Sequence, residues 1–118
     1  MDEKIISLVT AMNRFGYITN ASCQGHGWPM SREPYVTFTC PQSQVSRLSR
    51  ALREDAQSLY PRLYWEWWVT GGFDEHHNLF YRLTTANPRR AWFRWCRSKL
   101  DADILLLPQF VEIAVGDI

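Results

Sequence analysis

Leu63-Tyr64-Trp65-Glu66-Trp67-Trp68-Val69-Thr70 is built from aromatic, aliphatic and β-branched residues, with no Gly or Pro to break it. Such side chains favour a pleated backbone, so the segment predicts a strand. Successive side chains of a strand point to opposite faces. Leu63, Trp65, Trp67 and Val69 therefore share one face, and Tyr64, Glu66, Trp68 and Thr70 share the other. The first face is apolar throughout and calls for a layer of helices beneath it. The second carries Trp68 and Tyr64, which an open two-layer sandwich leaves exposed unless the chain's own tail or a partner covers them.

Working outward, residues 71–78 read as a hairpin-like connection and residues 79–85 (LFYRLTT) as a further strand. Upstream, Pro41 suits the first turn of a helix and Pro61 marks its end. Val45, Leu48, Leu52 and Leu59 form its apolar stripe, with Arg47, Arg50 and Arg53 on another face. Residues 35–40 (YVTFTC) and 17–23 (YITNASC) read as strands, separated by a loop over residues 24–34. Ile5, Leu8, Val9 and Met12 predict a first helix over residues 2–15, stopped by Gly16. Downstream, Asn87-Pro88 reads as an N-cap followed by Pro at the first helical position, opening a third helix to about Leu100. Residues 110–115 read equally as a short edge strand or a docked tail. The order α-β-β-α-β-β-α predicts an α+β sandwich: a mainly antiparallel four-stranded sheet with helices on one face.

The chain has 118 residues, which fits a single domain over residues 1–118. With 46% hydrophobic and 21% charged residues it can bury a core without disulfides or a metal. Thirteen Lys and Arg against twelve Asp and Glu leave a net charge of +1. That balance argues against a highly basic nucleic-acid binder and against an acidic mimic of DNA. Cys23, Cys40 and Cys96 are scattered with no C-x-x-C, as expected of a reduced intracellular protein. The acidic opening Met1-Asp2-Glu3-Lys4 and the lack of a long apolar run predict a cytoplasmic protein with no membrane partner. Six Trp, five Tyr and six Phe are the least ordinary feature, and such rings serve cores and interfaces alike.

Ser22-Cys23-Gln24-Gly25-His26-Gly27-Trp28 is dense in chemically able groups. Gly25 and Gly27 let the backbone turn sharply and present N–H groups to a ligand. Cys23 activated by His26 would make a nucleophile. Cys23 and His26 with His76 or His77 would supply a metal's ligands. A tight turn with a buried Cys and a capping His needs no chemistry, and Gly25 and Trp28 would equally serve a partner-binding loop. The run Asp74-Glu75-His76-His77 reads first as a solvated hairpin tip. In the third predicted helix, Arg90, Arg94 and Arg97 stand at i, i+4 and i+7 among Trp92, Phe93 and Trp95, a basic face able to hold phosphate or stack bases.

The segment from Tyr17 to His26 followed by Glu33-Pro34-Tyr35-Val36-Thr37-Phe38 resembles small proteins carried by phages, prophages and plasmids, which show an S-C-x-G-H turn and then P-Y-V-x-F. The same stretch is similar, at the turn, to the wybutosine-pathway tRNA methyltransferase family. Ser22, Cys23 and Gly25 match its T-x-S-S-C-S-G-R turn, and His26 stands where that family has Arg. This second resemblance implies an α+β fold; its later motifs have no counterpart here, so methylation, an S-adenosylmethionine site and tRNA are not carried over. The first implies a small binding protein acting by surface contact with a host protein or protein–nucleic-acid complex, such as an inhibitor of a CRISPR or restriction system. No complete catalytic set is visible and no cofactor is expected. The alternative is a small enzyme, or a ligand- or metal-binding protein, built on the Cys23–His26 turn and acting on RNA or nucleotides. The binding residues expected are Trp68, Tyr64, Arg90, Arg94, Arg97, Gly25 and Trp28, with homodimerisation and direct nucleic-acid contact as further partners.

Overall fold

Ile5, Leu8 and Met12 are fully buried along one side of the first helix, α1 (Glu3–Arg14), as their spacing predicts. Gly16, at φ 91°, turns the chain out of it, and the Tyr17 N–H closes back on the Met12 carbonyl at 2.9 Å. The computed structural model describes residues 3–23 and 34–116. The remaining elements are β1 (Ile18–Cys23), β2 (Tyr35–Thr39), α2 (Gln42–Ala56), β3 (Trp65–Phe73), β4 (Leu79–Pro88), a 3-10 turn (Ala91–Trp95) and α3 (Arg97–Gly116). The α-β-β-α-β-β-α order is as predicted.

The four strands lie in the order β1-β2-β4-β3 and every neighbouring pair is antiparallel. β2 and β3 therefore run the same way with β4 between them, and α2 carries the chain across. Val36, Phe38, Trp65, Trp67 and Leu83 point to one side, where they form a single core with buried residues of all three helices. Helix α3 packs against both α1 and α2. Alternation within β3 follows the sequence pattern: Trp65 and Trp67 are buried, whereas Trp68 is 51% exposed.

The chain after β4 departs from expectation. Asn87-Pro88 does not open a helix, because Pro88 still pairs with Trp65 and the Arg89 N–H bonds the Tyr64 carbonyl at 3.0 Å. The Arg89 side chain then ties itself to the Leu63 and Ala56 carbonyls and to the Asp55 carboxylate at 3.1 Å. These bonds hold the backbone extended against its local capping signal. Helix α3 begins at Arg97 and continues through Pro108 to Gly116, so residues 110–115 are neither strand nor tail. Phe110, Val111 and Ala114 are buried in the core. Helix α2 stops at Ala56, short of Pro61, which leaves Leu59 91% exposed rather than on the apolar stripe.

Two buried carboxylates aim the segment that leads into β3. Asp55 on α2 accepts the Arg62 N–H at 2.7 Å and the Leu63 N–H at 3.3 Å. Asp103 on α3 accepts the Tyr64 and Trp65 N–H groups at 2.8 and 2.9 Å and the Trp67 indole N–H at 3.1 Å. Four consecutive backbone donors are thus held by side chains of two helices, at a sheet edge where no described strand pairs.

Candidate macromolecule-binding face

The face of the sheet opposite the helices is built by strand alternation. Its register sets Trp68, Thr84 and Tyr35 in one cross-strand row, and Thr70, Arg82 and Thr37 in the next. Tyr35 and Arg82 come from the two central strands. The Arg82 guanidinium stands 4.5 Å from the Tyr35 ring centre, a cation–π distance that keeps both groups on the open side. Thr84 is buried and donates its hydroxyl to the Pro34 carbonyl at 2.8 Å. Towards the hairpin, Phe80 lies across Gly72, close enough that a Cβ there would meet its ring at 3.4 Å. Glu66 is the carboxylate that β3 places on this side.

At the start of β3 this face meets a second aromatic group. Tyr64 packs edge-on to Phe93 at 5.5 Å, and Phe93 packs edge-on to Trp92 at 4.5 Å. The Lys99 ammonium stands among the three rings, 4.3 Å from Tyr64, 5.2 Å from Phe93 and 5.4 Å from Trp92. Trp92 is 56% exposed. Neither Lys99 nor Trp92 was marked as a binding residue by sequence spacing, and Tyr35 and Arg82 were missed as well. Strand alternation alone could have found the last two, since the burial of Val36 and Phe38 sends Tyr35 outward.

The predicted arginine face is divided. Arg90 and Arg94 are exposed and flank Trp92 and Phe93 in the sequence, and the Arg94 guanidinium stands 5.7 Å from the ring centre of the core-side Trp65, but the 3-10 turn ends at Trp95 and Arg97 belongs to a separate helix. Arg97 is paired with Asp101 at 2.8 Å. The three therefore do not share one helical face. Arg89, next to Arg90 in the sequence, is a half-buried structural clamp.

The turn chemistry is only partly visible. Gly25, His26 and Trp28 lie outside the described residues, as does the Cys23 side chain. The Cys23 backbone pairs with Tyr35, which is level with Thr84 on β4. His76 and His77 sit exposed on the hairpin beyond Leu79, five residues back along that strand. At about 3.4 Å per residue that is roughly 17 Å of sheet between them and Cys23. Among the described residues no group of three metal-ligating side chains forms. A groove of about 440 Å³ between α2 and the hairpin is lined by Gln42, Val45, Ser46, Ser49, Val69, Thr70, Gly71, Leu79 and Tyr81, with no carboxylate, His, Cys or Lys. Of the two thiols that are described, burial pushes Cys40 up to about 11. Cys96 is lowered by its contact with Ser98, aided by the Lys99 backbone and charge.

No family model matches the chain, and comparison with curated proteins and with solved structures returns no match. No described helix is long and apolar enough to cross a membrane.

Proposed function

We propose that this is a binding protein that works by surface contact with a host macromolecule, through the face of its sheet that lies away from the core. The observation that carries the reading is Trp68, 51% exposed on the side of the sheet away from the core that the three helices share. Fully burying a large apolar side chain is worth about 1.5–3 kcal/mol, so a half-exposed indole leaves a substantial part of that unrealised in the free protein. Trp, Tyr and Arg dominate interface energetics, and this face offers Trp68, Tyr35 and Arg82 together. Inhibition of a host defence complex is the finer form of this reading. It rests on the resemblance of residues 17–38 to phage- and plasmid-borne proteins.

The test is affinity capture from host cells with tagged wild-type and Trp68→Ala proteins, their folding compared by thermal melts. A partner held by the wild type should bind the variant at least about tenfold more weakly, a loss of about 1.4 kcal/mol, with little change in salt dependence. Equal binding by the variant would overturn the reading. So would a variant that unfolds, since Trp68 would then be core.

A further inference from the structure

We infer that the partner of this face is a single-stranded nucleic acid, an inference that rests on the surface-binding reading above and names its ligand. The argument begins with charge. Arg82 stands over the Tyr35 ring and Lys99 over the Tyr64 ring, and neither forms an ion pair with a carboxylate among the described residues. The whole chain carries only +1, so the positive charge offered here is these two cations held against rings, with Glu66 the carboxylate that β3 places on the same side. Their complement is an anion.

The aromatic rings say which anion. Trp68 and Tyr35 lie in one row of the open sheet, Arg82 is held over the Tyr35 ring, and Lys99 is held at the rim by Tyr64 and Trp92. A polymer with a flat π-surface on one side and a phosphate on the other meets both sets of groups at once. An acidic peptide would satisfy the cations and leave the rings without a stacking partner. A duplex fits poorly for a geometric reason. Its major groove, about 12 Å wide, admits a helix or a two-stranded ribbon. Here all three helices contribute to the core on the far side, and the face on offer is a four-stranded sheet. Four-stranded sheets with aromatics on their open side are a known platform for splayed, unpaired bases.

The experiment is fluorescence anisotropy with labelled oligo-U and oligo-dT of about 16 nucleotides, the upper end of site sizes on such platforms. The matching duplex, heparin and polyglutamate serve as competitors. The wild type should bind one or both single strands, with affinity falling as salt rises, and the duplex, heparin and polyglutamate should compete less well. Trp68→Ala should weaken binding about fivefold to hundredfold with the salt slope unchanged. Arg82→Glu should weaken it and reduce the slope by about one or more. If Trp68→Ala does not fold, the surface reading falls and this inference falls with it; in a folded protein Trp68→Phe should retain binding and Arg82→Glu lose it. The inference is overturned if neither single strand binds at low salt, if heparin or polyglutamate competes as well as the oligonucleotides, or if the variants bind like the wild type. Should a protein partner be lost with Trp68→Ala while no oligonucleotide binds, this inference falls and the surface reading stands. Should neither bind, both fall.

Discussion

Asp103 is one of two aspartates buried among the described residues, and its surroundings pull its ionisation in opposite directions. Burial pushes its carboxyl above the ordinary value, while the Tyr64, Trp67 and Trp65 donors and the Arg89 charge pull it back; burial is the larger. A carboxyl raised in the fold contributes most to stability while protonated, and loses that contribution as pH rises through its folded value. Asp103→Asn keeps the shape but offers one acceptor oxygen where the carboxylate offers two. At least one of the three donors is then orphaned, at about 1–3 kcal/mol. The variant should unfold at lower urea concentration, and its gap from wild type should narrow as pH rises from about 4, because only the wild type titrates. A gap that widens would show that the hydrogen bonds outweigh burial. None of this was legible in the sequence. Asp103 stands beside Ile104 in the sequence, and its partners lie on β3 and the residue before it, 36 to 39 positions away.

The β3–β4 hairpin shows how far local sequence carries at the scale of an element. Both strands and the polar tip were readable from alternation and from Asp74-Glu75-His76-His77-Asn78. The conformation of the tip was not. Asp74 accepts the N–H groups of His76 and Asn78 on one carboxylate oxygen, at 2.8 and 2.9 Å, and His77 adopts φ 63°. That left-handed geometry costs a side-chain-bearing residue about 1–2 kcal/mol, part of which Gly gives back as chain entropy. His77→Gly should therefore raise stability by about 0.5–1 kcal/mol, read as a higher melting temperature. An unchanged or lower melt would mean that the His77 side chain does something at the tip. The third helix was misplaced for the opposite reason. The local signal at Asn87-Pro88 was sound, but bonds from Arg89 to α2 and to the segment before β3 overrode it. Competition between a local cap and a distant partner is invisible to spacing alone.

At the scale of the molecule, one sheet face and three helices share a single core, and the last turns of α3 belong to it. Leu100, Ile104, Leu107, Val111 and Ala114 follow one helical stripe, which Pro108 and the apolar run from Ile104 to Leu107 disguise in the sequence. The layered architecture was legible because each strand and the first two helices carry their own period. The open face was legible through Trp68 for the same reason. The depth to which the C-terminal segment is built in was not, since it depends on where α3 lies between α1 and α2. Phe110 makes the difference measurable. It is 4% exposed, sits two residues beyond Pro108, and carries the Arg62 guanidinium 5.1 Å from its ring centre. Removing a buried Phe side chain costs about 3–5 kcal/mol, a large share of the roughly 5–15 kcal/mol that holds a domain folded. Phe110→Ala should therefore lower the urea midpoint sharply. If the core is one cooperative unit, helix content by far-UV circular dichroism and tryptophan emission should shift together, because loosening α3 removes the support under α1, α2 and β3 at once. A helix signal that melts early while tryptophan emission keeps its wild-type midpoint would make the end of α3 an independent appendage. That outcome would restore the docked-tail reading of residues 110–115 and confine the core to the sheet, α1, α2 and the part of α3 before Pro108.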